Sequence, residues 1–309
     1  MKLAFSVSLA AVVALDLARP YAGTSLRPWQ YLALLAAVAA GWPLLRARGR
    51  PWREAWPPGL LALALIPLWV DHARVLQSDG IIYYTYVRSL LFDRDLAFAN
   101  DFALLGWSDP RNVLPIGAPL LWSPLVLAVH LLRQAARLFG AGAPTGVEPI
   151  YQAAACLATV AYGSAGLLLL PGALRRWVIP AAAFWATLLC WVGSPLRFYL
   201  AVLPGLAHGA EFFAAVLVLR AWLALRDHFD ARRAAWAGAA CGLVFLTRSQ
   251  DGLLLLLPGL EVARRLVSRG ADRRATLLAG GALAAAFVAV ASPQLLAWQA
   301  EFGRPVLIP

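Results

Sequence analysis

The stretch Ile150-Tyr-Gln-Ala-Ala-Ala-Cys156-Leu-Ala-Thr-Val-Ala-Tyr-Gly-Ser-Ala-Gly-Leu-Leu-Leu-Leu-Pro171 decides the fold class. It is apolar almost throughout and carries no charge, and a helix needs about 20 such residues to cross the hydrocarbon layer of a bilayer. Working outward from it, further apolar runs lie near 3–18, 29–45, 57–71, 113–132, 178–193, 206–225, 235–247, 251–263 and 275–298. Pro and Gly interrupt several of them, which a membrane span tolerates where neighbouring helices satisfy the freed backbone groups.

Composition points the same way. Of 309 residues 61% are hydrophobic and 14% charged, with a mean hydropathy of +0.68. Soluble domains carry about 45–50% apolar and about 25% charged residues, so this balance excludes disorder and argues against a water-soluble enzyme. The expectation is an all-α, polytopic helical membrane protein with about 8–10 apolar segments. Cys156, Cys190 and Cys241 all fall inside apolar stretches and read as packing residues, not as a disulfide or metal framework.

The net charge is +11, and Lys2 is the sole lysine. In a membrane protein, basic residues gather in cytoplasmic loops, so the charge is a topology label and implies no nucleic-acid partner. Lys2 followed by apolar 3–15 reads as an uncleaved first span, because no small-x-small cleavage site follows it. Four arginine clusters mark the cytoplasmic side: Arg46, Arg48, Arg50 and Arg53; Arg175 and Arg176; Arg226, Arg232 and Arg233; Arg264, Arg265, Arg269, Arg273 and Arg274. Residues 72–112, 194–205, 248–251 and the C-terminus then lie outside. By this parity the run 113–132 begins and ends outside, and Pro115, Pro119 and Pro124 suggest a broken, re-entrant or interfacial hairpin.

Six of the sixteen acidic residues sit in 71–111: Asp71, Asp79, Asp93, Asp95, Asp101 and Asp109. Within this outer segment Tyr83, Tyr86, Val87, Leu90 and Leu91 recur at helical spacing. That spacing predicts an amphipathic helix on the membrane surface with its tyrosines at headgroup depth. Ser78-Asp79-Gly80 opens it. Ser78 or Asp79 is suited to cap the helix, and Asp79 at the membrane–water boundary is equally placed to take a proton from an acceptor hydroxyl. The two roles are compatible. Asp101 and Asp109 read as solvated loop or turn residues, Asp109-Pro110 being a turn signal.

Beyond these residues the sequence resembles a known family. Ser78-Asp79-Gly80-Ile-Ile-Tyr-Tyr followed by Phe92-Asp93-Arg94-Asp95-Leu96-Ala97-Phe98-Ala99-Asn100-Asp101-Phe102 is similar to the first extracytoplasmic loop of GT-C-fold glycosyltransferases. The bacterial relatives of protein O-mannosyltransferases and lipid A aminoarabinose transferases come nearest. Asn112-Val-Leu-Pro115-Ile-Gly117-Ala-Pro119-Leu-Leu-Trp122-Ser-Pro124 resembles the stretch that follows, and Ala207-His208-Gly-Ala-Glu211-Phe-Phe the opening of a middle span. Leu246-Thr247-Arg248-Ser-Gln250-Asp251 resembles the basic hairpin tip between two later spans, and Pro293-Gln294-Leu-Leu-Ala-Trp298 with Phe302-Gly303 the start of the next outer loop.

The resemblance covers about residues 72–303 and implies a bacterial inner-membrane enzyme whose site faces away from the cytoplasm. It implies inverting transfer of a sugar from a polyprenyl-phosphate donor to an extracytoplasmic glycan, lipid or protein acceptor. Asp79 is then the candidate base. Arg248 is the preferred partner of the leaving phosphate, with Arg88 and Arg111 as rivals; a snorkelling interfacial arginine is the plainer reading of Arg248. His208 and Glu211 share a helix face and suit an acceptor or a divalent ion, or simply one another. Asp101 completes the substrate-binding candidates. No cofactor is certain, a divalent metal is compatible, and His72, His130 and His228 are unassigned.

Residues 1–50 read as two N-terminal spans whose role is unexplained, and 51–309 as the glycosyltransferase module. That module reads as incomplete at its C-terminus, because family members continue past the position of Pro309. Two other classes fit the composition. A flippase or transporter of lipid-linked glycans places ionisable residues near the bilayer midplane, whereas here, Asp16 apart, they crowd the outer boundary. A non-catalytic relative is the third class.

Overall fold

The computed structural model describes residues 65, 68–69, 71–107, 111–268, 270 and 272–305. The expected N-terminal spans, the cluster Arg46–Arg53 and Asp109 lie outside the described residues. Those described form helices and no strand: α1 (Asp79–Arg88), α2 (Ala99–Leu104), α3 (Gly117–Arg137), α4 (Pro149–Leu174), α5 (Pro180–Val192), α6 (Leu196–Ala201), α7 (His208–Asp227), α8 (Ala231–Thr247), α9 (Leu256–Val267) and α10 (Arg273–Phe302). A π turn, Ser89–Asp93, extends α1, and a 3-10 turn, Ser249–Leu255, leads into α9. Three helices, α4, α7 and α10, are long and apolar enough to cross a membrane.

Local chemistry sets the helix starts. Pro149 and Pro180 occupy first turns, where a missing N–H costs nothing. The Asp230 carboxylate accepts from the Arg233 amide (2.8 Å) and that of Asp272 from the Ala275 amide (3.1 Å), so both cap their helices. Small residues then bring helices together. An ideal Cβ on Gly238 of α8 would stand 2.0 Å from the Leu283 carbonyl oxygen of α10, and one on Gly242 would stand 2.9 Å from that of Phe287. Gly238-x-x-x-Gly242 is therefore a contact seam that only glycine permits.

α4 is the organising element. Its first half runs antiparallel to α3: Trp122 Nε1 donates to Thr159 Oγ1 (2.8 Å), and His130 Nδ1 lies 3.1 Å from the Tyr151 hydroxyl. Its second half runs alongside α7, from the Gly209–Thr159 contact to the Arg176–Asp227 ion pair. α3 and α7 thus leave the level of Thr159 in opposite directions. The expected break in 113–132 is not present, since α3 is one continuous helix. Pro115 precedes it, Pro119 lies in a first turn whose amides have no helical acceptor, and only Pro124 is internal.

The expected surface helix is also different. α1 is buried on nearly every side, with Tyr84 and Tyr86 at 0% exposure and Tyr83 at 7%. The Tyr84 hydroxyl donates to the Gly146 carbonyl (2.6 Å) and that of Tyr86 to the Leu114 carbonyl (3.1 Å). The tyrosines therefore bind protein backbone inside the fold instead of facing headgroups. The π turn shifts the register after Arg88, so Leu90 leaves the predicted face and is exposed.

Distant segments meet at the two ends of the bundle. At one end the Ala73 amide donates to the Ala201 carbonyl (2.8 Å), the Asn112 amide to Glu301 Oε1 (2.6 Å), and the Ile116 amide to Gln294 Oε1 (2.6 Å). At the other end Arg176 pairs with Asp227, Arg264 with Glu261 (2.9 Å), and the Arg265 guanidinium lies 4.2 Å from the Phe229 ring centre. The described arginine clusters thus share one end, and the segments 72–112, 194–205 and 248–251 share the other.

Candidate active site at the mouth of the bundle

Asp79 is the first residue of α1 and is exposed. The preceding Ser78 sits at φ 53°, ψ −138°, and its hydroxyl makes no cap bond. A non-glycine residue held at positive φ is a strained position, here immediately before the candidate base. Gly80 fixes the approach of α1 to the loop ahead of α7, because a Cβ there would lie 2.9 Å from the Gly205 carbonyl oxygen. That contact brings the start of α1 beside the start of α7.

His208 and Glu211 open α7 on one face, with His208 Nδ1 2.9 Å from Glu211 Oε2. Tyr199 of α6 stacks on the imidazole, ring centres 3.8 Å apart. Arg248 follows α8 in an extended conformation, and its Nη1 lies 3.4 Å from both Glu211 Oε2 and His208 Nδ1. With the Gln250 amide turned to satisfy both groups, its oxygen accepts from Arg248 Nη2 (2.5 Å) and Nε (3.0 Å), which holds the guanidinium plane. The Asp251 amide donates to the Arg248 carbonyl (3.0 Å), closing the hairpin tip.

Asp251, at the same hairpin tip, is partly buried. Burial and the adjoining Glu211 carboxyl push Asp251 up to about 6, against the pull of Arg248 and His208. Tyr83, one turn after Asp79, ties the halves together. Its hydroxyl is held well above its ordinary range by burial and then by Asp79, while Arg248 opposes and Glu211 adds to the shift. Asp79, Tyr83, His208, Glu211, Arg248 and Asp251 therefore form one electrostatic neighbourhood.

Arg88 and Asp101 belong elsewhere. Arg88 Nη1 lies 2.5 Å from Asp93 Oδ2 and 2.5 Å from Asp101 Oδ1, and its Nε donates to the Thr145 carbonyl (3.1 Å). The Asp101 side chain is 0% exposed and that of Arg88 7%, so Asp101 is no solvated loop residue. Burial holds its carboxyl above the ordinary range against the neighbouring Arg88. This ion pair, about 13 Å along α1 from Asp79 at 1.5 Å per residue, clamps the π turn, α2 and the 144–147 loop. Among the described residues no group of three or more His, Cys, Asp or Glu side chains is arranged to hold a metal ion. Cys156 and Cys241 are buried, Cys190 partly so, and all three are free thiols.

Sequence reasoning missed Tyr199, Gln250 and Asp251. The last two lay in the quoted hairpin-tip motif, but nothing in linear spacing sets Asp251 against Glu211, forty residues earlier. Among the described residues, fold and site together define an all-helical bundle with three membrane-length helices and a mixed-charge cluster where α7 begins and α8 ends. Comparison of the chain with protein-family models, with curated proteins and with solved structures finds no match.

Proposed function

We propose that this protein is an integral-membrane glycosyltransferase of the bacterial inner membrane. In this reading it moves a sugar from a polyprenyl-phosphate donor to an extracytoplasmic glycan, lipid or protein acceptor, with inversion. The observation that carries the reading is the Gly80–Gly205 approach, which brings Asp79 at the start of α1 beside the start of α7, where His208, Glu211 and Arg248 cluster. These residues come from three motifs that resemble the GT-C family, the first more than a hundred residues ahead of the other two. An exposed carboxylate at the same mouth as a fixed guanidinium suits a displacement in which one side loses a proton and the other side gains negative charge.

Asp79 takes the proton of the acceptor hydroxyl as its oxygen attacks the anomeric carbon. The phosphate departs from the opposite face of the sugar, which inverts the configuration, and Arg248 stabilises the charge that develops on it. The donor's lipid remains in the bilayer around α4, α7 and α10. The cluster stands where α7 begins and α8 ends, beside the exposed Asp79, and an open mouth of this kind favours transfer over transport. The test is transfer from polyprenyl-phosphate sugars by Asp79→Asn in reconstituted membranes. Expected is loss of transfer by at least about a thousandfold, in the upper range for removing a general base, with membrane insertion intact. Wild-type transfer in the variant would remove Asp79 from the mechanism.

A further inference from the structure

Asp79 and Arg248 stand on different elements, and one short segment touches the supports of both. Residues 112–117 lead from the loop after α2 into the first turn of α3. At one end the Asn112 side chain, 0% exposed, donates to the Ile82 carbonyl (2.8 Å) and the Thr85 hydroxyl (2.9 Å), both on α1 within two turns of Asp79. The Tyr86 hydroxyl of the same helix donates to the Leu114 carbonyl (3.1 Å). At the other end Gly117 packs on the Leu246–Thr247 peptide, immediately before Arg248. We propose that this segment is a rigid spacer that sets the separation of Asp79 and Arg248, with Asn112 as the positioning residue of the base. The inference rests on the glycosyl-transfer reading, in which base and phosphate partner must stand at once on opposite sides of one sugar.

Stiffness follows from the chemistry of the segment. Pro115 fixes its own φ and holds Leu114 to extended backbone. Asn112 Oδ1 accepts from the Leu114 amide (3.1 Å), closing an Asx turn. From α10, Glu301 Oε1 accepts the Asn112 amide (2.6 Å) and Gln294 Oε1 the Ile116 amide (2.6 Å). The backbone is thus anchored at 112, 114 and 116, with a proline between. Five steps of chain reach at most about 18 Å, so a displacement at either end has no slack in which to disappear. Asparagine is the residue this arrangement demands. Thr85 Oγ1 gives its own hydrogen to the Ile82 carbonyl (2.8 Å) and so accepts from Asn112, which sets the orientation of the amide. One planar group then donates twice to α1 while its oxygen closes the turn; a carboxylate lacks the donors, and alanine lacks all three bonds.

The test is backbone hydrogen exchange of the full chain in detergent, with farnesyl phosphate as the probe of the phosphate side and farnesol as the probe of tail binding alone. In the wild type, farnesyl phosphate should slow exchange at 246–251 by binding Arg248 and, through the spacer, at 79–88 as well, each by at least about threefold. Farnesol should do neither. Asn112→Ala should bind farnesyl phosphate within about twofold of the wild type and keep the protection at 246–251. It should lose at least about half of the added protection at 79–88 and transfer sugar at least about tenfold more slowly, since the base is no longer held in place. Thr85→Val keeps the shape of α1 and removes one acceptor of Asn112; it should show the same split to a smaller degree, and it carries the test if Asn112→Ala does not fold. Val113→Ala, within the spacer but with its side chain 57% exposed, should behave as the wild type.

Equal effects of farnesol and farnesyl phosphate at 246–251 overturn the transferase reading along with this one. Protection at 246–251 that never reaches 79–88, or that reaches it equally in Asn112→Ala and Thr85→Val, overturns the spacer and leaves the transferase reading standing. Loss of farnesyl phosphate affinity in Asn112→Ala by about tenfold or more makes Asn112 a general support of the fold and overturns its positioning role, as does wild-type transfer in that variant.

Discussion

Gly117 offers the sharpest test of how the bundle holds its site. It is the first residue of α3, and an ideal Cβ there would lie 2.3 Å from the carbonyl carbon and oxygen of Leu246 and 2.5 Å from the Thr247 nitrogen. Carbon contacts settle near 3.5–4.0 Å, so Gly117→Ala requires the 246–247 peptide to retreat by about 1 Å or more. There is no free side on which to absorb this. Leu246 is 3% exposed and Thr247 0%, and both the Thr247 hydroxyl (2.8 Å) and the Arg248 amide (2.9 Å) are tied to the Val244 carbonyl. The displacement therefore passes to Arg248, the next residue.

Overpacking of this kind costs about 1–3 kcal/mol, which lowers the melting temperature of a chain this size by about 2–10 °C. A guanidinium moved by about 1 Å costs on the order of a hundredfold in rate where its position matters. Intrinsic fluorescence from the thirteen tryptophans reads the melting, and farnesyl phosphate affinity reads the site. Gly259→Ala is the control, since a Cβ there meets nothing within 4 Å; that helix position should be unchanged or gain stability. A Gly117→Ala protein that melts within about 1 °C of the wild type and binds farnesyl phosphate normally refutes the reasoning.

Two further outcomes follow from the charged groups. Asp101→Ala leaves Arg88 buried with half its carboxylate partners and should cost about 3 kcal/mol or more, read as a lower melting temperature, whereas Asp101→Asn keeps an acceptor and should lose less; equal melting of all three proteins would dissolve the clamp. For Asp251 the folded value of about 6 lies above the ordinary ~3.9 of the unfolded chain, so the native state binds more protons in that window and stability falls as pH rises from about 4 to 6. Asp251→Asn should therefore gain in melting temperature on the wild type across that window and hold the gain above it, and a pH-independent difference between the two would contradict the raised value.

What could be read in the sequence was whatever local chemistry controls. The 150–171 run announced α4, and the 206–225 and 275–298 runs announced α7 and α10, because a long apolar run has few folded states other than a helix. Asp79, His208, Glu211 and Arg248 were legible as candidates because charge is rare in this chain and each stands near the end of an apolar run. The tyrosine helix misled for the opposite reason. Its period is helical whether the apolar face meets lipid or protein, and the π turn at Ser89–Asp93 leaves no sequence mark that periodicity detects. The three prolines of 113–124 likewise suggested a break, yet a proline costs a helix only where an amide was needed, and the register of α3 spares all but Pro124. Asp101 and Asp251 show the deeper limit. Both are aspartates in polar stretches, but one is fixed inside the fold by Arg88 and the other is raised by burial and by Glu211. Their chemistry is set by residues 13 and 40 positions away, and only the packing of the helices brings those residues into reach.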